Sequence, residues 1–143
     1  MSANELTNKL IAAIESRHYD VIICNFANPD MVGHTGIESA ANKAVSTIDH
    51  CIQRIIDSLR HVGGEMLLTA DHGNIEMMYD EQTGQPHTAH TNNPVPFLYV
   101  GRLAQFSEKK GALDDVAPTL LYILGLAQPK QMTGHNLLRF TDE

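Results

Sequence analysis

The sequence has 143 residues and a mass of 15.8 kDa, which suits one ordinary domain and leaves no room for two. Apolar residues are 43% and charged residues 19%, so a core can form and wholesale disorder is excluded. The net charge of −7 argues against nonspecific binding to nucleic acid or an anionic membrane, which needs a basic face, and suits a protein that holds cations.

Ser2-Ala3-Asn4-Glu5 has the capping-box pattern, and Leu6, Leu10, Ile11 and Ile14 recur at helical spacing, which predicts a helix from about Ala3 to Ser16. Tyr19 to Phe26 contains the continuous run Val21-Ile22-Ile23-Cys24. Its length and β-branched content predict a strand buried on both faces, as in a parallel sheet. Ala41, Ala44, Val45, Ile48, Ile52, Ile55 and Leu59 mark a long amphipathic helix that ends at Gly63-Gly64. Met66–Thr69 reads as the next strand, so strand, helix and strand form a βαβ unit.

Glu76 to Pro96 is a long polar loop with a short strand near Met77 to Tyr79, and loops of that length usually carry function. Phe97 to Val100 is a further strand. Asp114 or Asp115 caps a short helix through Val116, Leu120, Ile123 and Leu124, which Gly125 stops. No apolar run approaches the ~20 residues of a membrane span, and the N-terminus lacks a signal-peptide core. Cys24 and Cys51 read as small buried hydrophobes in a reducing cytosol, which sets the expected location as cytoplasmic.

Eight histidines stand in the chain, as many as Phe and Tyr combined, and their placement points to chemistry. Asn28-Pro29-Asp30-Met31-Val32-Gly33-His34 follows the first strand of the βαβ unit. Ala70-Asp71-His72-Gly73-Asn74 follows the second. Ligands of parallel α/β sheets bind beyond the carboxyl ends of the strands, so the two clusters fall at one sheet edge. His87-Thr88-Ala89-His90-Thr91 adds a third cluster in the long loop. Carboxylate oxygen and imidazole nitrogen with no nearby thiolate suit divalent transition metals. Two Asp and three or four His exceed one closed tetrahedral site, so two ions, or one ion with an open position, fit the composition. Taken singly, each cluster has a plainer reading: Pro29-Asp30 turns the chain and caps a helix, Asp71-His72-Gly73 is a strand-end turn, and His87 and His90 are solvated loop residues. His18, His50, His61 and His135 have nothing acidic placed around them and read as surface residues.

The strings Asn28–His34, Thr69–Asn74 and His87-Thr88-Ala89-His90-Thr91-Asn92-Asn93-Pro94-Val95-Pro96 resemble cofactor-independent phosphoglycerate mutase, as do Val116–Thr119 and Pro129–Gly134. The resemblance runs over essentially the whole chain. It implies an α/β fold of the alkaline phosphatase type, three layers α/β/α, with residues 1–143 forming the C-terminal portion of the phosphatase-like metal-binding domain and a mainly parallel sheet. The insert domain and the N-terminal portion of that family are not in the sequence. The resemblance further implies two Mn²⁺ in the complete enzyme. Asp30, His34 and His90 would hold one, and Asp71 and His72 would contribute to the other, with no ligand role for His87.

In that family a serine takes the phosphoryl group and returns it to the other hydroxyl of glycerate, interconverting 2-phosphoglycerate and 3-phosphoglycerate. Ser2, Ser16, Ser39, Ser46, Ser58 and Ser107 are the serines here, and none stands in the Asn-Ser-Glu setting of that nucleophile. The chain by itself is therefore expected to be inactive, and it reads either as a piece cut from a longer chain or as one half of a split enzyme whose N-terminal half is encoded upstream. The rival readings are a metal-binding interaction module, or a piece of another superfamily enzyme such as a phosphopentomutase. By itself the chain would bind the first ion more readily than the second, and Zn²⁺ or another divalent ion could take the place of Mn²⁺. An uncovered sheet edge is expected to drive self-association, most simply as a symmetric dimer.

Overall fold

The computed structural model describes residues 2–107 and 110–141. It contains two compact units, Met1–Gly64 with His72–Pro96, and Glu65–Asp71 with Phe97–Glu143.

In the first unit, helix α1 spans Ala3–Ser16, the range its spacing predicts, and Ser2 Oγ accepts the Glu5 N–H at 3.4 Å. Its apolar stripe is only half-buried. Ala3 and Thr7 are the residues that go fully inside, and the Thr7 hydroxyl is satisfied by Ala3 O at 2.8 Å. Helix α2, Asn28–Gly33, is one short turn and a half with Pro29 in its first turn, where the missing N–H costs nothing. Helix α3, Glu38–Val62, turns Ala41, Ala44, Cys51, Ile55, Ser58 and Leu59 inward. It stops at Gly63, whose φ of 73° is the left-handed conformation that glycine tolerates. Arg54 and Ser58 of α3 reach Asn8 and Glu15 of α1, at 2.6 and 3.4 Å. The long polar loop contains a small hairpin, β2 (Tyr79–Asp80) with β3 (Gln85–Pro86), closed through Gly84 at φ 67°.

In the second unit, β1 (Met66–Thr69) pairs with β4 (Phe97–Val100), Met66 opposite Val100 and Thr69 opposite Phe97. β5 (Ala104–Phe106) pairs with β6 (Leu138–Phe140). A 3-10 turn, Leu113–Asp115, leads into α4, Val116–Ile123. Arg102 ties these pieces together: it bonds Glu65, donates to the Ile123 carbonyl at 2.9 Å, and lies 3.9 Å over the Phe140 ring. Tyr99 donates to Glu65 at 2.7 Å, and burial together with that carboxylate pushes its hydroxyl up to about 12.

Four expectations need correction. All three ladders among the described residues are antiparallel, so the parallel pairing expected of the βαβ unit is not formed. Val21–Cys24 lies in no ladder, and Ile23 is 89% exposed. An apolar run becomes a strand only when a neighbour satisfies its backbone groups, and no described segment pairs with this one. For the same reason Cys24 is exposed, whereas Cys51 is fully buried as expected. His135, read as lacking an acidic neighbour, has its Nδ1 3.0 Å from Asp115 Oδ1, because the 134–136 segment crosses the turn before α4. Among the described residues no helix is long and apolar enough to cross a membrane.

Candidate metal centre

Helix α2 sets the geometry. Asp30 lies in its first turn and His34 is its C-cap, four residues on, so the two side chains share one face. His34 Nε2 is 3.3 Å from Asp30 Oδ1. The loop before β4 brings His90, whose Nε2 lies 3.0 Å from the same oxygen and 3.2 Å from His34 Nε2. The turn after β1 adds His72, 4.0 Å from Asp30 Oδ1, with its ring stacked 3.6 Å from that of His90.

The donor set fits a divalent ion. Metal bonds of about 2.0–2.2 Å place neighbouring ligand atoms roughly 2.8–3.6 Å apart at tetrahedral to octahedral angles. Asp30, His34 and His90 form a triangle with edges of 3.0, 3.3 and 3.2 Å. The proton positions agree. His34 Nδ1 lies 2.7 Å from the Thr88 carbonyl, which can only accept, so Nδ1 carries the hydrogen and a neutral ring presents a lone pair at Nε2. Side chains of these three residues are between one-third and one-half exposed, which leaves open positions for water or a ligand oxygen.

Asp30 is prepared as an anion. Burial pushes its carboxyl up, but the Asn74 amide and the facing imidazoles of His34, His90 and His72 outweigh this and hold it below its ordinary value. Asn74, 5% exposed, donates from Nδ2 to Asp30 Oδ1 at 2.7 Å. Gly33 makes this approach feasible. A Cβ there would collide with the Asn74 amide, 2.7 Å from its Cγ, and with Ile75 Cγ2 at 2.8 Å.

Of the expected ligands, the structure thus gathers Asp30, His34, His90 and His72. Asp71 closes the segment of the second unit and is not among the three that form the triangle. His87, to which no ligand role was carried, is also outside it and lines an open cavity of about 750 Å³ with Glu38, Val45, Ile75 and Met78. Asn74, Gly33 and Glu76 were missed. Asn74 and Gly33 lie inside the quoted strings, and their type, an amide and a glycine beside ligand positions, was the available signal.

A family model described as "Metalloenzyme superfamily" matches residues 1–128. The chain is 64% identical over 138 residues to the 2,3-bisphosphoglycerate-independent phosphoglycerate mutase of Coxiella burnetii, covering 96% of this chain and 27% of that protein. The enzyme of the same name from Pseudomonas fluorescens is 59% identical over the same shares. A crystal structure of Leishmania mexicana phosphoglycerate mutase at low cobalt concentration matches with a TM-score of 0.84 and 28% identity, over 97% of this chain and 28% of that one. The chain therefore spans about a quarter of the length of these relatives.

Proposed function

The chain belongs to the Metalloenzyme superfamily, and we propose that it supplies the metal-holding part of a phosphoglycerate mutase that interconverts 2-phosphoglycerate and 3-phosphoglycerate. The observation that carries this reading is the Asp30–His34–His90 triangle, one carboxylate and two imidazoles at metal-ligand spacing, in a chain 64% identical to such mutases. Asp30, His34 and His90 hold one ion, Mn²⁺ in the complete enzyme, and Asp71 and His72 contribute to a second.

Such an ion, when bound, supplies Lewis-acid neutralisation of the charge on a transferring phosphoryl group. The rest is done by this chain. Asn74 keeps Asp30 ionised and aimed, the Thr88 carbonyl keeps His34 in the tautomer that offers Nε2, and the His72 ring braces His90. The nucleophilic serine comes from outside these 143 residues, so the chain by itself binds metal without turning over substrate. The setting is cytoplasmic glycolysis and gluconeogenesis, and the partner is the segment that carries the serine.

A chimera tests this: the chain replaces the corresponding 27% of the Coxiella burnetii mutase. Mutase turnover with Mn²⁺, abolished by His34→Ala, is the expected result. A folded chimera without turnover would contradict the assignment.

A further inference from the structure

One carboxylate near the triangle belongs to an exposed residue, Glu76, yet both of its oxygens accept hydrogen bonds from within the protein. Glu76 Oε1 accepts from the Thr91 hydroxyl and from Asn93 Nδ2 at 3.0 Å, while Oε2 accepts the Asn74 backbone N–H at 2.6 Å. Its two oxygens therefore face two different segments. On one side is the turn that bears His72 and Asn74. On the other is the loop that bears His90, immediately before Thr91. The same two segments also meet through an isolated backbone bridge, in which the Thr91 N–H donates to the Gly73 carbonyl at 2.9 Å. Gly73 clears the space: a Cβ there would strike Thr91 Oγ1 and lie 3.0 Å from Glu76 Cδ.

We propose that Glu76 is a positioning residue that clamps the His90 loop to the His72–Asn74 turn, and thereby holds His90 and Asn74 against Asp30. The inference rests on the metal-site reading above. Its logic is chemical. His90 is on a loop, and a loop side chain meets Asp30 at 3.0 Å reproducibly only if its backbone is fixed from outside the ligand set. Charge-assisted bonds from a carboxylate are the strong version of such a fixture, and Glu76 makes three of them to donors on both segments. Burial pushes the Glu76 carboxyl up, but the Thr91 and Asn93 side chains and the local backbone outweigh this and hold it below its ordinary value, so it stays an acceptor toward all three.

The test is optical titration of the 143-residue chain with Co²⁺, whose visible bands report ligand geometry. Wild type, His34→Ala, Glu76→Gln, Thr91→Val and Thr91→Ser are compared, with the fold of each checked by circular dichroism. Glu76→Gln turns one acceptor into a donor that faces donors. Glu76→Gln and Thr91→Val are expected to weaken Co²⁺ about 10- to 100-fold and to change the bands, while Thr91→Ser, which keeps the hydroxyl, behaves as wild type. A role in stability alone would lower the melting temperature and leave the bands unmoved, which overturns the proposal. So do wild-type affinity and bands in both Glu76→Gln and Thr91→Val. Should Glu76→Gln fail to fold, the Thr91 pair decides alone. Failure of the metal-site reading shows separately, as no Co²⁺ binding by wild type or as His34→Ala binding like wild type, and it removes this proposal with it.

Discussion

Asn74 and Asp30, 44 residues apart in the chain, meet through a 2.7 Å bond from Nδ2 to Oδ1, and the same Asp30 oxygen faces His34 and His90. The amide thus orients the carboxylate through the oxygen that faces the two imidazoles. Asn74→Ala should lower divalent-metal affinity about 10- to 100-fold, the usual cost of losing a partner of a ligand. Isothermal titration with Mn²⁺ checks this, and an unchanged affinity would show that Asp30 needs no such support.

Gly33 lets α2 approach Asn74, so its substitution acts on the site from a distance. Gly33→Ala should destabilise the fold by about 1–3 kcal/mol, the range for overpacking, and weaken metal binding as Asn74 is displaced. In a background of Asn74→Ala the clash partly disappears, so the two changes should cost less together than the sum of each. Urea unfolding of the four proteins measures the coupling, and strict additivity would place the strain elsewhere.

How much of this was legible follows from the range of each interaction. Helices α1 and α3 are set by neighbours in sequence, namely Ser2 at one start, Gly63 at one stop, and apolar steps of three and four, so both ends of α1 and the stop of α3 were readable, while the start of α3 at Glu38, which has no side-chain cap, was not. Asp30 and His34 are also local, and sequence strings brought His90 and His72 to notice. Strand partners are not local. Val21–Cys24 and Met66–Thr69 have the apolar content of neighbours, and nothing in that content says that Met66–Thr69 pairs with Phe97–Val100 in antiparallel fashion while Val21–Cys24 forms no ladder. The bonds from Asn74 to Asp30 and from Thr91 to Glu76 cross 44 and 15 residues between polar groups, which hydrophobic periodicity does not register.

In the second unit, Asp115 is 2% exposed and accepts the His135 N–H at 2.8 Å and the Ala112 N–H at 2.7 Å. The backbone N–H of His135 comes first among the causes that hold its carboxyl below the ordinary value, and burial only partly opposes it. In the unfolded chain that group takes up its proton near the ordinary pKa of about 3.9. Between the unfolded and the lower folded value the unfolded state binds more protons, so this contribution is complete above about pH 5 and is lost as pH falls through the folded value. Asp115→Asn should therefore lose about 1–3 kcal/mol at pH 7 and converge on wild type in strong acid. Equal denaturation midpoints at pH 7 would contradict this.

Metal binding should have its own pH dependence. Protons compete with the ion for the ring nitrogens of His34 and His90, so affinity should fall between about pH 7.5 and 5.5. His34→Ala should reduce the steepness as well as the affinity. A profile flat from pH 7.5 to 5.5 would mean that imidazoles do not hold the ion.

The exposed run Tyr19–Ile23, with Ile23 at 89%, should drive self-association of the chain. Light scattering across a concentration series is expected to show a mass above the monomer, reduced by Ile23→Lys. A strictly monomeric mass at high micromolar concentration would refute it.

The central claim is that Asp30, His34 and His90 hold a divalent ion, and anomalous diffraction at the manganese edge from crystals grown with Mn²⁺ tests it most directly. The account predicts a peak about 2.0–2.2 Å from Asp30 Oδ1 and from Nε2 of His34 and His90, lost in His34→Ala crystals. A wild-type crystal with no peak inside that triangle, or with its peak at other residues, would contradict it.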